Sequence, residues 1–357
     1  MLALGLMSGT SRDGVDAAAM HTDGERHAAP MGFVSVPYES AFRRRLGEVI
    51  AGHGDREAVA RELTDRHAGA VERLLANTGL RARDVELIGF HGHTIAHAPE
   101  RGITDQLGEP ARLAAATGID VVGGFRSADV AAGGQGAPLA PLYHRARAAG
   151  LAKPLAVLNL GGVGNVTYLG ADDTVLAFDT GPGNALVDDL IAARTGEQCD
   201  TGGRWAMTGT VADELLARWL ADPFFDRPPP KALDRDAFAV DEAARLDTAN
   251  ASATLTAFTA ASVARAHDHL PATPVRWLVT GGGRHNPALM AALRARVTGT
   301  VEPVEAVGWD GDALEAEAFA YLAVRAAHGQ PLSLPTTTGV PAPQPAGRVY
   351  GATGSAV

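Results

Sequence analysis

At 357 residues the chain is longer than one compact core sustains, so two domains are expected. Hydrophobic residues make up 46% and charged residues 20%, the proportions of an ordinary globular protein. A net charge of -10 argues against a nucleic-acid partner, whose phosphates would be repelled, and no uninterrupted apolar run is long enough to span a bilayer.

The single cysteine, Cys199, excludes an internal disulfide framework and fits a reducing cytoplasm. The apolar N-terminus lacks the basic stretch that opens a signal peptide, so it reads as a first strand. Leu2–Ser8 and Val15–Met20 read as strands joined by Gly9-Thr10-Ser11-Arg12-Asp13-Gly14. An Asp-Gly hairpin turn is the plain reading, but six residues are long for it. Small residues with free N–H groups can instead form a concave anion site. Asp13 or Asp16 beside it can hold magnesium, directly or through water.

Gly32–Val36 reads as a third strand, and 41–50 and 56–78 as helices, the second closed by Gly79. The strand Val85–Phe90 delivers His91-Gly92-His93-Thr94 and then His97. Three histidines invite a zinc reading, but a site needs further ligands and a closed geometry. Hydrogen bonding of a substrate by Thr94 and a histidine is the favoured reading, with a solvated loop as the plain one. A helix near 109–117 leads to the strand 120–125. Arg126 follows, able to fork onto a carboxylate or phosphate, or else to make a surface ion pair of little worth. Gly133-Gly134-Gln135-Gly136-Ala137-Pro138 has too many glycines for a helix interior and reads as the crossing between domains.

A pattern then returns. Leu155–Leu160, Gly161-Gly162-Val163-Gly164-Asn165 and Val166–Leu169 again read as strand, glycine turn, strand. Thr174–Phe178 follows, closed off by Asp179, and then Thr180-Gly181-Pro182-Gly183-Asn184 opens a helix over 186–193. This is a divergent internal duplication, with two halves expected to face one cleft. Asp179 stands at the carboxyl end of a strand, where open α/β sheets bind ligands. Gly181 and Gly183 let a ligand approach the backbone, and the next helix aims N–H groups at an anion. A carboxylate beside a glycine-rich gap suggests a general base facing a phosphate; a turn with a helix cap is the plain alternative. Phe224 to Lys231 reads as a rigid proline segment on the cleft rim. Residues 251–269 form a long helix. The strand 275–280 then leads to Gly281-Gly282-Gly283-Arg284-His285-Asn286, where glycine lets a flat base or ribose lie on the backbone. In the last long helix, 312–327, Glu315 shares a face with Phe319 and Leu322. It is either a helix N-terminal charge or a ligand contact. The tail from Pro331 reads as irregular.

Leu6-Met7-Ser8-Gly9-Thr10-Ser11-Arg12-Asp13-Gly14-Val15-Asp16 resembles the opening motif of the anhydro-N-acetylmuramic acid kinases. So do Phe125-Arg126, residues 133–138, Asn159-Leu160-Gly161-Gly162, Phe178–Asn184, the run from Gly281 to Asn286 with Leu289-Met290, and Glu315-Ala316 through Ala318–Ala320. They fall in the family's order along nearly the whole chain. The resemblance implies an α/β fold of the actin/hexokinase type, with two ribonuclease-H-like domains and a nucleotide and sugar cleft between them. The expected boundaries are 1–127 with 330–357 for one domain and 128–329 for the other. The implied activity uses ATP, with magnesium, and water to open 1,6-anhydro-N-acetylmuramic acid and phosphorylate it. The product is N-acetylmuramic acid 6-phosphate, a step in recycling cell-wall sugars. Asp179 matches the catalytic base. Gly9 through Asp16, namely Gly9, Thr10, Ser11, Arg12, Asp13, Gly14, Val15 and Asp16, match the ATP-phosphate loop. Gly161, Gly162, Gly281, Gly282, Gly283 and Asn286 are expected on the nucleotide side. Thr94, Arg126, Glu315, Gly181 and Asn184 are expected around the sugar, and Asp13 at the metal. The resemblance also implies a cytoplasmic homodimer.

The sequence departs from the family pattern at His93, Gly124, Ser127 and Ala232-Leu233-Asp234, mainly on the sugar side. Met7 stands where the superfamily usually carries an aspartate. Two rivals follow: a kinase of another amino sugar that opens no ring, and a catalytically silent nucleotide-binding regulator. Asp179 argues against the second, because a pure binder needs no base.

Overall fold

Leu2, Leu4 and Leu6 alternate with Ala3 and Gly5 along the first strand, β1 (Leu2–Ser8), and all of these residues are buried. Burial on both faces means that the strand is covered from both sides. In the computed structural model of the protein, which describes residues 1–9, 11–235 and 237–352, β1 is a central strand of a seven-stranded sheet. It pairs antiparallel with β2 (Gly14–Thr22), and β2 pairs antiparallel with β3 (Ala28–Pro37). On its other side it pairs parallel with β4 (Leu87–Ala98). The far half of β4 turns back into β5 (Ile103–Leu107), and β6 (Val121–Gly123) lies parallel to β4. The leucine face of β1 joins Phe42, Leu46, Leu63 and Leu74 in one core, from the helices Ser40–Ile50 and Arg56–Thr78. The opposite face receives the helix Leu314–Ala327. That approach is so close that a Cβ on Gly5 would stand 1.8 Å from the carbonyl oxygen of Ala316, and one on Gly89 2.0 Å from that of Phe319.

The second sheet repeats this plan. β7 (Leu155–Leu160), β8 (Val163–Leu169) and β9 (Val175–Pro182) form an antiparallel meander. β10 (Arg276–Thr280) lies parallel to β7, and β11 (Thr300–Pro303) parallel to β10. The order β9-β8-β7-β10-β11 matches β3-β2-β1-β4-β6 strand for strand, with the same sense at every pairing. The duplication read from the glycine turns is therefore a duplication of the ribonuclease-H-like topology. Its core holds Leu158, Leu160, Phe178, Trp277 and Leu289. A second cluster, with Trp219, Phe224, Phe225 and Phe258, forms on the helix Thr248–Ala266. Phe224 and Phe225 are 2% exposed, so the segment expected as a rim loop is anchored by a buried aromatic pair.

The boundaries differ from those expected. The compact units are Met1–Gly150 with Ala313–Val357, and Leu151–Asp312, so residues 128–150 and 313–329 belong to the first unit and not the second. The helix Leu314–Ala327 is the reason, since it completes the first core. The glycine-rich stretch expected as the crossing is fastened inside the first unit. Asp129 is fully buried, and its Oδ1 accepts from Gly136 N–H (2.6 Å). Its Oδ2 accepts from the hydroxyls of Thr338 (2.6 Å) and Ser333. Gln135 N–H donates to Thr338 O at 2.7 Å. The tail is correspondingly ordered, with Pro331–Ser333 paired to Gln344–Pro345 and Arg348–Tyr350 added to β6.

Asp129→Asn tests this node. The amide keeps one acceptor oxygen, and its NH2 meets two hydroxyls that can rotate to accept. The expected loss is about 1–2 kcal/mol, at the lower end for a buried charged partner. Chemical denaturation measures it; an unchanged midpoint would show the node to be dispensable.

Candidate functional site

The first unit brings its expected residues to the carboxyl ends of β1, β4 and β6, the edge where open α/β sheets bind ligands. After β1 the loop turns tightly, with Arg12 N–H donating to Gly9 O at 3.0 Å. Arg12 takes the left-handed conformation, φ 57°, and Ser11, Arg12 and Asp13 are exposed. Among the described residues a Cβ on Gly9 would meet only the Ser11 hydroxyl, at 3.5 Å, so Gly9 itself is open to a ligand. Thr10 lies outside the described residues. Gly14, Val15 and Asp16 belong to β2. Val15 is fully buried in the core, so it can offer a ligand only its backbone.

The strand expected to stop at Phe90 continues, and the plain alternative of a solvated loop there does not hold: β4 runs on to Ala98, because β5 pairs with its second half. Its histidines are separately engaged. His93 Nδ1 lies 2.9 Å from Ser8 Oγ, which also accepts from the Tyr38 hydroxyl at 2.8 Å. His97 contacts Thr104 Oγ1 (3.0 Å) and Gln135 O (2.9 Å). His91 Nε2 accepts from Arg126 Nε at 3.0 Å. Guanidinium can only donate, so the His91 proton is on Nδ1, facing Gly92 O at 3.0 Å. Burial lowers the pKa of all four buried imidazoles of this unit, His67, His91, His93 and His144. Among the described residues no group of three or more His, Cys, Asp or Glu is placed to hold a metal.

Arg126 is the pivot of this half. Its Nη1 donates to Gly136 O (2.6 Å), while no partner among the described residues takes its Nη2. Burial lowers its pKa to about 10, opposed by Glu315 and Asp129, so it stays cationic at neutral pH. Glu315, in the first turn of its helix, remains open to solvent, yet crowding raises its carboxyl and Arg126 pulls it back. Thr94 on β4 is half-buried, 3.4 Å from Gln106 Nε2. Arg126 and Glu315 thus influence one another electrostatically, and one edge of the guanidinium has no partner among the described residues, a donor pair that suits hydroxyl or carboxylate oxygens.

In the second unit three glycine turns converge on Asn184. Its N–H donates to Gly161 O (2.7 Å), its Nδ2 to Leu160 O (2.8 Å), and Gly183 N–H to Gly162 O (3.0 Å). A Cβ on Gly183 would stand 2.1 Å from Gly161 O, and one on Gly283 3.2 Å from Asn184 Nδ2. Asn184 is therefore a structural tie whose Oδ1 and second Nδ2 hydrogen have no partner among the described residues. Gly281 adopts φ 75° directly above Leu160, and Gly282 is exposed. Arg284 holds this turn, pairing with Glu305 and Asp312 (2.8 Å each) and donating to Gly281 O (3.0 Å). Asn286 caps the helix Pro287–Arg294, its Oδ1 accepting from Ala288 and Leu289 N–H. Its NH2 has no partner among the described residues.

Asp179 lies within β9 and not at its end, because the strand continues to Pro182. It is paired with Asn165, and Gly181 with Gly164, so Thr180 between them is an extra residue that bends the strand. Gly181, at φ 150°, packs against Ser262, where a Cβ would come within 2.6 Å. Asp179 Oδ2 accepts from Leu233 N–H at 2.8 Å, and no donor among the described residues reaches Oδ1. Burial raises this carboxyl from its ordinary 3.8 to about 7, opposed only by the Leu233 hydrogen bond. A carboxylate with one oxygen fixed, one open and a pKa near neutrality has the properties of a general base.

The family described as anhydro-N-acetylmuramic acid kinase matches residues 1–352. The anhydro-N-acetylmuramic acid kinase of Paramagnetospirillum magneticum is 55% identical over 351 residues, covering 98% of this chain and 99% of the relative. That of Rhizorhabdus wittichii is 53% identical over 353 residues, covering 96% and 97%. Among solved structures, a ROK family glucokinase from Streptomyces griseus in complex with glucose and AMPPNP aligns over 90% of this chain and 99% of its own, with a TM-score of 0.42 and 16% identity.

Proposed function

The chain belongs to the anhydro-N-acetylmuramic acid kinase family, and from that premise we propose a division of labour among its residues in an ATP-dependent opening and phosphorylation of 1,6-anhydro-N-acetylmuramic acid. The observation that supports it best is Asp179: Oδ2 held, Oδ1 open, and the carboxyl at about 7. In the anhydro-sugar, oxygen 6 is bound to the anomeric carbon, so there is no free 6-hydroxyl to phosphorylate. Asp179 Oδ1 takes a proton from water, whose oxygen attacks the anomeric carbon. The bond from that carbon to oxygen 6 breaks, and oxygen 6 takes the γ-phosphoryl group as ADP departs. No separate acid is required, since the phosphoryl group captures the leaving oxygen.

Arg126, Glu315 and Thr94 orient the sugar. The loop from Gly9 to Asp16 and the turns at Gly161–Gly162 and Gly281–Gly283 receive the nucleotide, with backbone N–H groups facing developing charge. Asp13, exposed on its loop, offers the hard carboxylate oxygen that magnesium prefers. Magnesium bound with ATP would neutralise phosphate charge. The product enters cell-wall sugar recycling, and the reading carries a cytoplasmic homodimer with it. Among the described residues no helix is long and apolar enough to cross a membrane.

The test offers ATP and magnesium with 1,6-anhydro-N-acetylmuramic acid, N-acetylmuramic acid or N-acetylglucosamine in water enriched in heavy oxygen. ADP should form with the anhydro-sugar, and the label should enter the anomeric hydroxyl and not the phosphate. Equal turnover of an open amino sugar, or label in the phosphate, would overturn the coupled scheme. The loop assignment is tested by Gly9→Val. The new side chain would project from an open loop into the path of the phosphates, so ATP affinity should fall at least about tenfold while sugar affinity changes little, a loss of about 1.4 kcal/mol. Isothermal titration of each ligand distinguishes this from a general loss of fold, which would weaken both.

A further inference from the structure

β9 is the edge strand of its sheet, so its outer backbone groups have no strand partner among the described residues. One short segment covers that edge at Asp179. Asp179 N–H donates to Lys231 O at 2.9 Å, and Leu233 N–H donates back to Asp179 Oδ2 at 2.8 Å. The segment is itself tied down from behind. Lys231 is 8% exposed, and its Nζ donates to the carbonyls of Phe224 (3.0 Å) and Phe225 (3.1 Å). His269 Nε2 lies 3.2 Å from the same nitrogen. The ammonium also stands 4.6 Å from the centre of the Phe224 ring. Those carbonyls belong to the short turn Pro223–Asp226, whose aromatic pair is locked against Phe238 and Phe258. Two carbonyls satisfy this ammonium, yet among the described residues no carboxylate pairs with it, and a buried charge without an ion partner is costly, so its placement calls for a reason.

We infer that Lys231 and Leu233 are positioning residues for the general base: Lys231 anchors a strap whose Leu233 N–H holds one oxygen of Asp179 and so aims the other at the reacting water. The inference rests on the reading of Asp179 as that base. The strap explains why a carboxylate on an edge strand has a single orientation. A carboxylate on a free edge would rotate about its χ angles and present either oxygen to solvent. With Oδ2 held by a backbone donor, Oδ1 is the only acceptor left. A backbone N–H cannot rotate away as a side chain can, and Lys231 fixes the peptide that carries it. The strap lies where the sequence departs from the family pattern, at Ala232-Leu233-Asp234; the contact needs a main-chain donor there and not a particular side chain.

The test uses three variants of the full chain. Leu233→Pro removes the N–H and also fixes the local backbone and takes away the packed side chain, whereas Leu233→Ala takes away the side chain alone and keeps the N–H, so the pair isolates the main-chain donor and its backbone. Lys231→Met removes the anchor while filling the same space. Leu233→Pro should lower kcat ten- to hundredfold with the KM for ATP within about twofold, a loss within the range of general-base effects. Its acid limb in kcat/KM should also move to higher pH, because the lost bond is the one that lowers the Asp179 carboxyl. Leu233→Ala should match the parent in both. Lys231→Met should shift the limb in the same direction, and Lys231→Arg should restore part of it. A purely structural strap would lower the melting temperature and the yield of active enzyme without moving the limb, and that result would overturn the inference. If Leu233→Pro does not fold, the paired lysine variants decide by the same limb. Asp179→Asn separates the two levels: an active Asp179→Asn removes the base, whereas an inactive one beside an unshifted Leu233→Pro removes only the strap.

Discussion

Asp179→Asn is expected to reduce sugar-dependent ADP formation about a hundred- to ten-thousandfold, the usual range for a general base, with ATP affinity nearly unchanged. The geometry makes the substitution clean. Leu233 N–H requires an acceptor, so the asparagine oxygen will take the place of Oδ2 and its NH2 the place of Oδ1. A donor then faces the water, where an acceptor is needed. In the parent enzyme kcat/KM should rise with pH through about 7, as Asp179 ionises, and then level. Stability supplies an independent reading. Burial raises the folded carboxyl from 3.8 to about 7, so the native state holds this proton more tightly than the unfolded chain does. The stability this lends is full below pH 3.8 and is lost as pH rises to about 7. At pH 8 the parent therefore carries an unpaired charge in a crowded place, and the asparagine variant does not. Asp179→Asn should melt higher than the parent at pH 8, with the gap closing toward pH 4. A variant that keeps half its rate would remove Asp179 from the mechanism. One that melts lower at pH 8 would show that the carboxylate is stabilised by contacts beyond the Leu233 hydrogen bond.

The sequence carries these features unevenly, and the reason lies in the range of the contacts. Gly9 to Gly14, Gly161–Gly162 and Gly281–Gly283 are legible because a turn that needs missing side chains is a local property. The β7, β8 and β9 meander repeats β1, β2 and β3 for the same reason, since antiparallel neighbours follow one another in the chain. What fails to show is long-range. The second half of β4 looks like a loop because histidines, glycine and threonine interrupt it, yet β5 pairs with it from His93 to Ala98, and His91 is buried against Phe319 of a distant helix. Gly133 to Gly136 has the composition of a hinge. Asp129 immobilises it through Ser333 and Thr338, about two hundred residues away, so no window of sequence contains both sides. Asp179 was legible as a candidate base, but its holder was not: the decisive donor is the main chain of Leu233, and every residue except proline has that group. Lys231 was visible only as a charge after prolines. Its burial against two carbonyls depends on how Phe224 and Phe225 pack, and nothing in their spacing announces that.

Gly5→Ala should be among the most damaging methyl additions possible in the first unit. Its Cβ would stand 1.8 Å from Ala316 O and 2.4 Å from Ala320 N, both backbone atoms of the helix Leu314–Ala327. No rotamer change relieves such a contact; the helix or β1 must move. Gly89 on the neighbouring strand meets the same helix at Phe319 O, so the two glycines together set the distance between helix and sheet. Overpacking usually costs about 1–3 kcal/mol, and a clash with backbone places this substitution at the top of that range. For a unit of this size the melting temperature should fall by roughly 6–12 °C. Gly69→Ala provides the opposite sign. Gly69 lies inside the helix Arg56–Thr78 with nothing within 4 Å of its added methyl, so the substitution should stabilise by about 0.5–1 kcal/mol. The consequence for function comes from the residue before Ala316. Glu315 is carried by the same turn and interacts with Arg126, which is held in place by His91 and Gly136. A helix pushed outward carries Glu315 with it, while Arg126 stays. Misplacement by an ångström can cost about a hundredfold in rate, so kcat/KM for the sugar should fall by more than the thermal loss explains at temperatures where the variant is fully folded. ATP affinity should hold, because the loop after β1 keeps its own tether in Tyr38 N–H to Asp13 O at 2.8 Å. Equal melting temperatures for Gly5→Ala and the parent would show that the helix tolerates displacement. A normal sugar KM in a destabilised variant would separate Glu315 from the sugar site.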